Sequence, residues 1–180
     1  MEKHEEIERK FLVTENAMRS AGVSQMLPQM PYMDIVQGYL PAIGGMVVRL
    51  RQVLYVQHGR NMFGEAYYWT IKGSSEPRRM ERETPIWKQQ FQEMWPLFEP
   101  LQMHKHRYQI PAGDGKTVHL DFYKNGESGL ITAEVEFDSI DLCEAYSPEP
   151  WFGNELTGVP GWSNYDLAVA RMKRVKKETD

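Results

Sequence analysis

Charged residues in this chain of 180 residues recur two apart between apolar neighbours. Glu6, Glu8 and Lys10 fall at i, i+2 and i+4. Arg49 and Arg51 follow the same rule in Val48-Arg49-Leu50-Arg51, as do Thr70 and Lys72, Glu81 and Glu83, Lys105 and Arg107, and Glu134 and Glu136. Asp121 sits between Leu120 and Phe122. A spacing of two puts side chains on one face of a β-strand. Each pair alone reads as a solvated face, because charged side chains are mostly exposed. The set reads differently. Like charges sharing a strand face repel, yet seven of the eight expected strands carry such charges, sorted by sign within each strand. That arrangement suits a shared ligand needing both signs.

Closing about eight strands into a barrel leaves an interior able to hold one small ligand. If the charged face points inward, the apolar face points outward and needs helices to cover it. The face carries six cations (Lys10, Arg49, Arg51, Lys72, Lys105, Arg107) against seven anions (Glu6, Glu8, Glu81, Glu83, Asp121, Glu134, Glu136), one negative charge in excess. Carboxylates held about 4 Å apart cost on the order of 4 kcal/mol per pair at an effective dielectric of 20. A hard divalent cation removes that repulsion, and oxygen ligands suit Mg²⁺ or Mn²⁺. Two such ions would bring the cavity to about +3, and Arg and Lys then bind phosphate oxygens through charge-assisted hydrogen bonds. The residues thus point to a metal-assisted site for a polyphosphate-like anion.

The elements that must position these side chains follow from the alternation. Strands are expected near 5–13, 34–41, 46–56, 65–73, 78–86, 104–110, 116–123 and 130–137. Trp87, Phe91, Met94, Trp95 and Phe98 have helical spacing over 87–98. Ser163-Asn164 caps an expected last helix over 163–174, and 14–21 forms a short one. The patterns at 87–98 and 163–174 are the expected cover for the apolar outer face. Loops are expected at 41–45, 73–77, 111–115 and 147–161. The fold class is therefore α+β and mainly antiparallel, in one domain over 1–180. Lys plus Arg is 21 against 25 Asp plus Glu, which excludes a generic basic nucleic-acid binder. No apolar run is long enough to span a membrane, and the charged start does not read as a secretory leader. The one cysteine, Cys143, allows neither an internal disulfide nor a cysteine-based zinc site, so the cytoplasm is the expected compartment.

At these residues the sequence resembles the CYTH family, also called the triphosphate tunnel metalloenzymes. The likeness begins at Glu6-Ile7-Glu8-Arg9-Lys10-Phe11-Leu12-Val13, similar to the family's E-x-E-x-K start. It continues through Gln37-Gly38-Tyr39-Leu40, Val48-Arg49-Leu50-Arg51, Thr70-Ile71-Lys72-Gly73, Glu81-Arg82-Glu83, Lys105-His106-Arg107-Tyr108 and Ala133-Glu134-Val135-Glu136-Phe137. It ends near Trp151-Phe152-Gly153-Asn154-Glu155-Leu156-Thr157 and Ser163-Asn164, covering roughly residues 5–170. The resemblance implies an eight-stranded closed tunnel that binds triphosphates with Mg²⁺ or Mn²⁺. It implies metal ligands at Glu6, Glu8, Asp121, Glu134 and Glu136. Phosphates would be cradled by Arg49, Arg51, Lys72, Lys105 and Arg107, with Lys10 and Tyr39 as a catalytic dyad. Glu81 and Glu83 match tunnel carboxylates whose role stays open between a second metal and orientation of water. The segment Trp162-Ser163-Asn164 departs from the family pattern, where a tyrosine precedes the serine.

The implied activity is hydrolysis of inorganic triphosphate to pyrophosphate and phosphate. Rivals on the same fold are thiamine triphosphatase, nucleoside triphosphatase and class IV adenylate cyclase; a non-catalytic polyphosphate-binding module is the rival of another class. The expected partner is a triphosphate-containing small molecule, with no nucleic acid or membrane, and a homodimer is one assembly left open. His104 and His106 form an H-x-H pair opposite Lys105 and Arg107 and read as surface or packing histidines. The cations between Arg171 and Lys177 read as a solvated helix end, with cover of a tunnel mouth as the sharper alternative.

Overall fold

Alternation of polar and apolar residues produces strands here, and every strand pairing is antiparallel. The structure, a computed structural model, describes residues 5–73, 78–112, 115–124 and 129–179. In chain order the elements are β1 (Glu5–Val13), α1 (Glu15–Ser20), α2 (Val23–Met26), β2 (Tyr32–Tyr39), β3 (Val47–Gln57), β4 (Arg60–Lys72) and β5 (Arg78–Pro85). They continue with α3 (Lys88–Phe98), β6 (Gln102–Pro111), β7 (Thr117–Tyr123), β8 (Ile131–Glu136), α4 (Ile140–Ala145) and α5 (Asn164–Thr179). Of the expected turns, residues 74–77 and 113–114 lie outside the described residues.

Hydrogen bonding runs in the order β1-β5-β4-β3-β2-β6-β7-β8, and β1 also pairs with β8. One ladder is much shorter than the rest. β1 meets β5 through Glu5↔Met80, Glu6↔Arg79 and Ile7↔Arg78, while its residues 8–13 run against β8. The sheet is therefore curled around its polar face, and the β1–β5 seam is its thinnest join. β4 starts five residues before its expected bound. A two-residue turn at His58 and Gly59, with φ of 49° and 72°, is the type I′ geometry that joins tightly twisted strands without a loop.

The apolar face points outward, as expected. Ile7, Phe11, Val13, Val118, Leu120, Ala133 and Val135 are buried under α1, α4 and the segment 146–152. Leu50 and Tyr67 are buried under Phe91 and Phe98 of α3. A Cβ on Gly38 would sit 2.6 Å from the Phe98 carbonyl oxygen, so the end of α3 lies directly on the β2 backbone. Arg9, on this outer face of β1, clamps the chain's later segment. It donates to both Glu155 oxygens at 2.9 and 2.7 Å and to the Tyr146 carbonyl at 2.9 Å.

The last helix departs from expectation. Leu167 packs with inward-facing Met103 and Tyr123, and Ala168 with Tyr39 and Leu101. α5 thus fills one end of the barrel rather than covering the outer face. Its Ser163 cap accepts from the Asp166 amide at 3.1 Å, and residues 173–177 are exposed. α2 and α4 were not expected; a four-residue helix and one six residues long show too little periodicity. Among the described residues no helix is long and apolar enough to cross a membrane.

Candidate active site

Strand register turns the alternating charges to one inner face. Tyr39 lies opposite Arg49 and Gln37 opposite Arg51; Arg49 lies opposite Thr70, and Thr70 opposite Glu83. Across the barrel, Arg107 faces Asp121, Asp121 faces Thr132, and Lys10 faces Glu134. The predicted site residues gather into two groups along this face.

The first group lies on β3, β4 and β5, with Glu6 from β1. Arg49 Nη2 donates to Thr70 Oγ1, Glu81 Oε1 and Glu83 Oε2 at 3.1, 3.2 and 2.9 Å. Arg51 Nη2 reaches both Glu83 oxygens at 2.6 Å. Lys72 Nζ lies 2.8 Å from each Glu6 oxygen and 3.0 Å from Glu81. The second group lies on β6, β7 and β8, with Lys10 from β1. Asp121 accepts from Lys105 Nζ at 2.6 Å and from Arg107 Nε and Nη2 at 2.7 Å each. Arg107 also pairs with Glu134, and Lys10 Nζ lies 3.1 Å from Glu134. Glu136 stands apart at the end of β8, its side chain 55% exposed, 3.4 Å from His119.

Burial and charge pull against each other in both groups. Burial would raise the Glu134 carboxyl, but Lys10, Arg107 and Lys105 hold it well below the carboxylate range. Asp121 is likewise lowered against its burial by Arg107 and Lys105. Burial, with the nearby Arg107 charge, pushes the Lys105 ammonium down to about 8. Burial also opposes the Lys10 charge, but the Tyr123 oxygen, Glu134 and Glu8 outweigh it and leave its pKa raised. On the other side burial and Arg49 push Arg51 down to about 10. Glu81 moves upward, through burial and a hydrogen bond to the Glu6 carboxylate.

A cavity of about 450 Å³ opens between the two groups, lined by Glu8, Lys10, Tyr39, Arg49, Lys72 and Glu134, with residues 156–160 and 162–166 at its end. Arg49 Nε and Arg51 Nε are buried donors with no hydrogen-bond partner among the described residues. Native proteins rarely leave such groups unpaired, and two forked cations with spare donors suit an anion with several oxygens. The Lys10–Tyr39 contact expected for the dyad is replaced by another. The hydroxyl within reach of Lys10 Nζ is that of Tyr123, at 3.3 Å, while Tyr39 bonds to Gln37 Nε2 at 2.6 Å. Burial pushes Tyr39 up to about 12, so it keeps its proton and is a donor rather than a base.

The donor set fits a hard divalent cation. All carboxylates on the face offer oxygen alone, the preference of Mg²⁺ and Mn²⁺, and Glu6 and Glu81 crowd a single ammonium. Asp121 differs, because both its oxygens already accept from cations. Sequence reading missed Gln37, His119, Tyr123, Thr132 and Asn164. Tyr123 donates to Asn164 Oδ1 at 2.7 Å, tying α5 to the barrel floor beside Lys10. His119, Tyr123 and Thr132 share strand parity with a named charge and Gln37 with Tyr39, the one sign that could have found them.

A curled antiparallel sheet with paired cations and carboxylates along its inner face defines an anion-binding tunnel protein. No protein-family model matches the chain. It is 35% identical over 166 residues to an inorganic triphosphatase of Nitrosomonas europaea, spanning 92% of this chain and 97% of that one. It is 28% identical to an inorganic triphosphatase of Acetivibrio thermocellus, over 96% and 98% of the two chains. A crystal structure of an inorganic triphosphatase, 33% identical, superposes with a TM-score of 0.58 over 91% of this chain and 94% of its own. At 15% identity, a Hippeastrum protein with a dominant triphosphatase activity shares the fold, with a TM-score of 0.53 over 77% and 82% of the chains. The chain belongs to the CYTH, or triphosphate tunnel metalloenzyme, family.

Proposed function

We propose that the protein is a single-domain, metal-dependent hydrolase that cleaves inorganic triphosphate to pyrophosphate and orthophosphate inside a closed strand tunnel. The observation that carries this reading is the spare, buried Nε donors of Arg49 and Arg51, beside a cavity that Arg49 lines together with Glu8 and Glu134. The relatives named above as inorganic triphosphatases support it. Its lone cysteine is buried and unpaired, which suits a reducing compartment such as the cytoplasm.

Substrate binding exchanges partners. Arg49, Arg51 and Lys72 turn from carboxylates to phosphate oxygens, while Lys105 and Arg107 meet phosphate from the positions in which Asp121 holds them. Glu6, Glu8 and Glu134, with Glu136 at the strand end, hold Mg²⁺ or Mn²⁺, which supplies charge neutralisation and Lewis-acid polarisation of phosphate oxygens. Asp121 stays between Lys105 and Arg107 and fixes their positions. Water attacks the terminal phosphorus in line, and the phosphorus–bridging-oxygen bond breaks. Glu81, its pKa raised by burial, orients that water and as the carboxylate accepts its proton. Lys10, braced by Tyr123, faces the charge that develops on the departing pyrophosphate oxygen, and Tyr39 contributes a hydrogen bond. Glu83 holds Arg49 and Arg51 apart until substrate arrives.

Phosphate release from tripolyphosphate, ATP and thiamine triphosphate, with Mg²⁺ and Mn²⁺ compared, tests the proposal. Tripolyphosphate should be turned over fastest, and exhaustive chelation should abolish turnover. Faster release from ATP would favour a nucleoside triphosphatase, and binding without turnover a polyphosphate-binding module.

A further inference from the structure

The H-x-H pair on β6 has a third member that the sequence did not reveal. Asp34 on β2 lies directly opposite His106, and Val36 opposite His104, so Asp34, His104 and His106 share the outer face. Gln37, Lys105 and Arg107 occupy the inner one. Asp34 Oδ1 is 2.5 Å from His104 Nε2 and 3.9 Å from His106 Nε2, and the three ligand atoms lie within 4.8 Å of one another. We propose that these three side chains bind one late first-row divalent ion of the Zn²⁺ type, outside the barrel and separate from the tunnel.

Ligand atoms around a tetrahedral ion with bonds of about 2.0–2.1 Å are about 3.3 Å apart. The two Asp34 separations straddle that value, so small side-chain rotations close the site while the hydrogen-bonded strands stay in place. Two imidazoles and one carboxylate select zinc-like ions over Mg²⁺, which separates this site from the oxygen-only face inside. The Tyr32 ring stacks on His106 at 4.5 Å and fixes its plane. Burial, with the Lys124 charge, lowers the His106 pKa and leaves a neutral ring with a lone pair to offer. The side chains are 22–26% exposed, which leaves room for water as the fourth ligand. The ion takes the place of the Asp34–His104 contact, and it pins β2 to β6.

Chelator-stripped protein titrated with Co²⁺, with excess Mg²⁺ to fill oxygen-only sites, tests this directly. Visible d–d absorption should saturate at about one equivalent and be displaced by Zn²⁺, the stoichiometry of one open three-ligand site. Zinc should also raise Tm, because it binds the folded state alone. His106→Ala should weaken binding by about tenfold or more and remove the Tm gain, leaving Mg²⁺-supported phosphate release unchanged. Asp34→Asn, its fold checked by circular dichroism, should give the same loss and serves if His106→Ala fails to fold. Absent cobalt absorption, or an unchanged titration in the folded variants, would overturn the site. The readout is metal binding, so loss of the triphosphatase reading would leave this result standing.

Discussion

On the β6–β8 side of the tunnel the charges are shut away from water: Lys105 is 2% exposed, Asp121 0% and Glu134 5%. On the β3–β5 side the Glu83, Arg51 and Lys72 side chains are 28%, 18% and 14% exposed. Both sides carry three cations, yet they are built for different tasks. A buried ion pair is costly to break, because the abandoned partner stays desolvated. A pair in contact with water separates at little cost. The dry side therefore holds its cations at fixed positions before substrate arrives, while the wet side can trade carboxylates for phosphates. Rigid placement and exchange are divided between two walls of one cavity.

The largest expected difference between them is in stability. Asp121→Asn strands Lys105 and Arg107 and should lower unfolding free energy by about 3–5 kcal/mol, whereas Glu83→Gln, at a site partly open to water, should cost less, about 1–2 kcal/mol. Urea unfolding of both variants measures this, and equal losses would erase the distinction. In turnover, Lys10→Ala should chiefly lower kcat, by about 10²-fold, because its contact strengthens as charge develops. Arg51→Ala should raise KM for tripolyphosphate by about tenfold with kcat nearly kept. A Lys10→Ala effect on KM alone would make Lys10 one more phosphate clamp.

The smallest effects are in pH. Lys105 titrates at about 8, so kcat/KM should fall above that pH as the ammonium is lost, and Lys105→Arg should move the limb upward. Asp121 and Glu134 have folded pKa values below their ordinary 3.8 and 4.5. As pH drops through those values the unfolded chain takes up protons first. Their stabilisation is thus present above about pH 4.5 and lost below it, and Asp121→Asn should flatten that loss in acid unfolding curves.

The charged inner face was legible because period-two spacing and charge sign both survive in one sequence. Glu6, Lys10, Arg49, Lys72, Lys105 and Glu134 converge as their spacing requires. Tyr123 and Gln37 escaped because an uncharged polar or aromatic residue in a strand looks ordinary until its neighbours across the barrel are known. The His58-Gly59 turn lacked the Asn-Gly or Asp-Gly pair that marks type I′ hairpins. Asp34 was out of reach for another reason. It meets His104 and His106 only through a strand pairing 70 residues away in sequence, and no local pattern encodes that.

The thin β1–β5 seam has a consequence for how the chain comes together. β1 is made first, but its partners are residues 78–80 of β5 and residues 131–136 of β8, and Arg9 waits for Glu155. Contacts so distant along the chain carry a loop-closure cost and form slowly. The strand bearing Glu6, Glu8 and Lys10 must therefore stay largely undocked until β8 exists, while β2, β3 and β4 can zip through short connections. Pulse-labelled hydrogen exchange should find residues 8–13 among the last amides protected; early protection there would contradict this order. The strand bearing Glu6, Glu8 and Lys10 is then the closing stave, and nascent chains cut off before β8 would hold the Arg49–Arg51 wall without that strand fastened across from it.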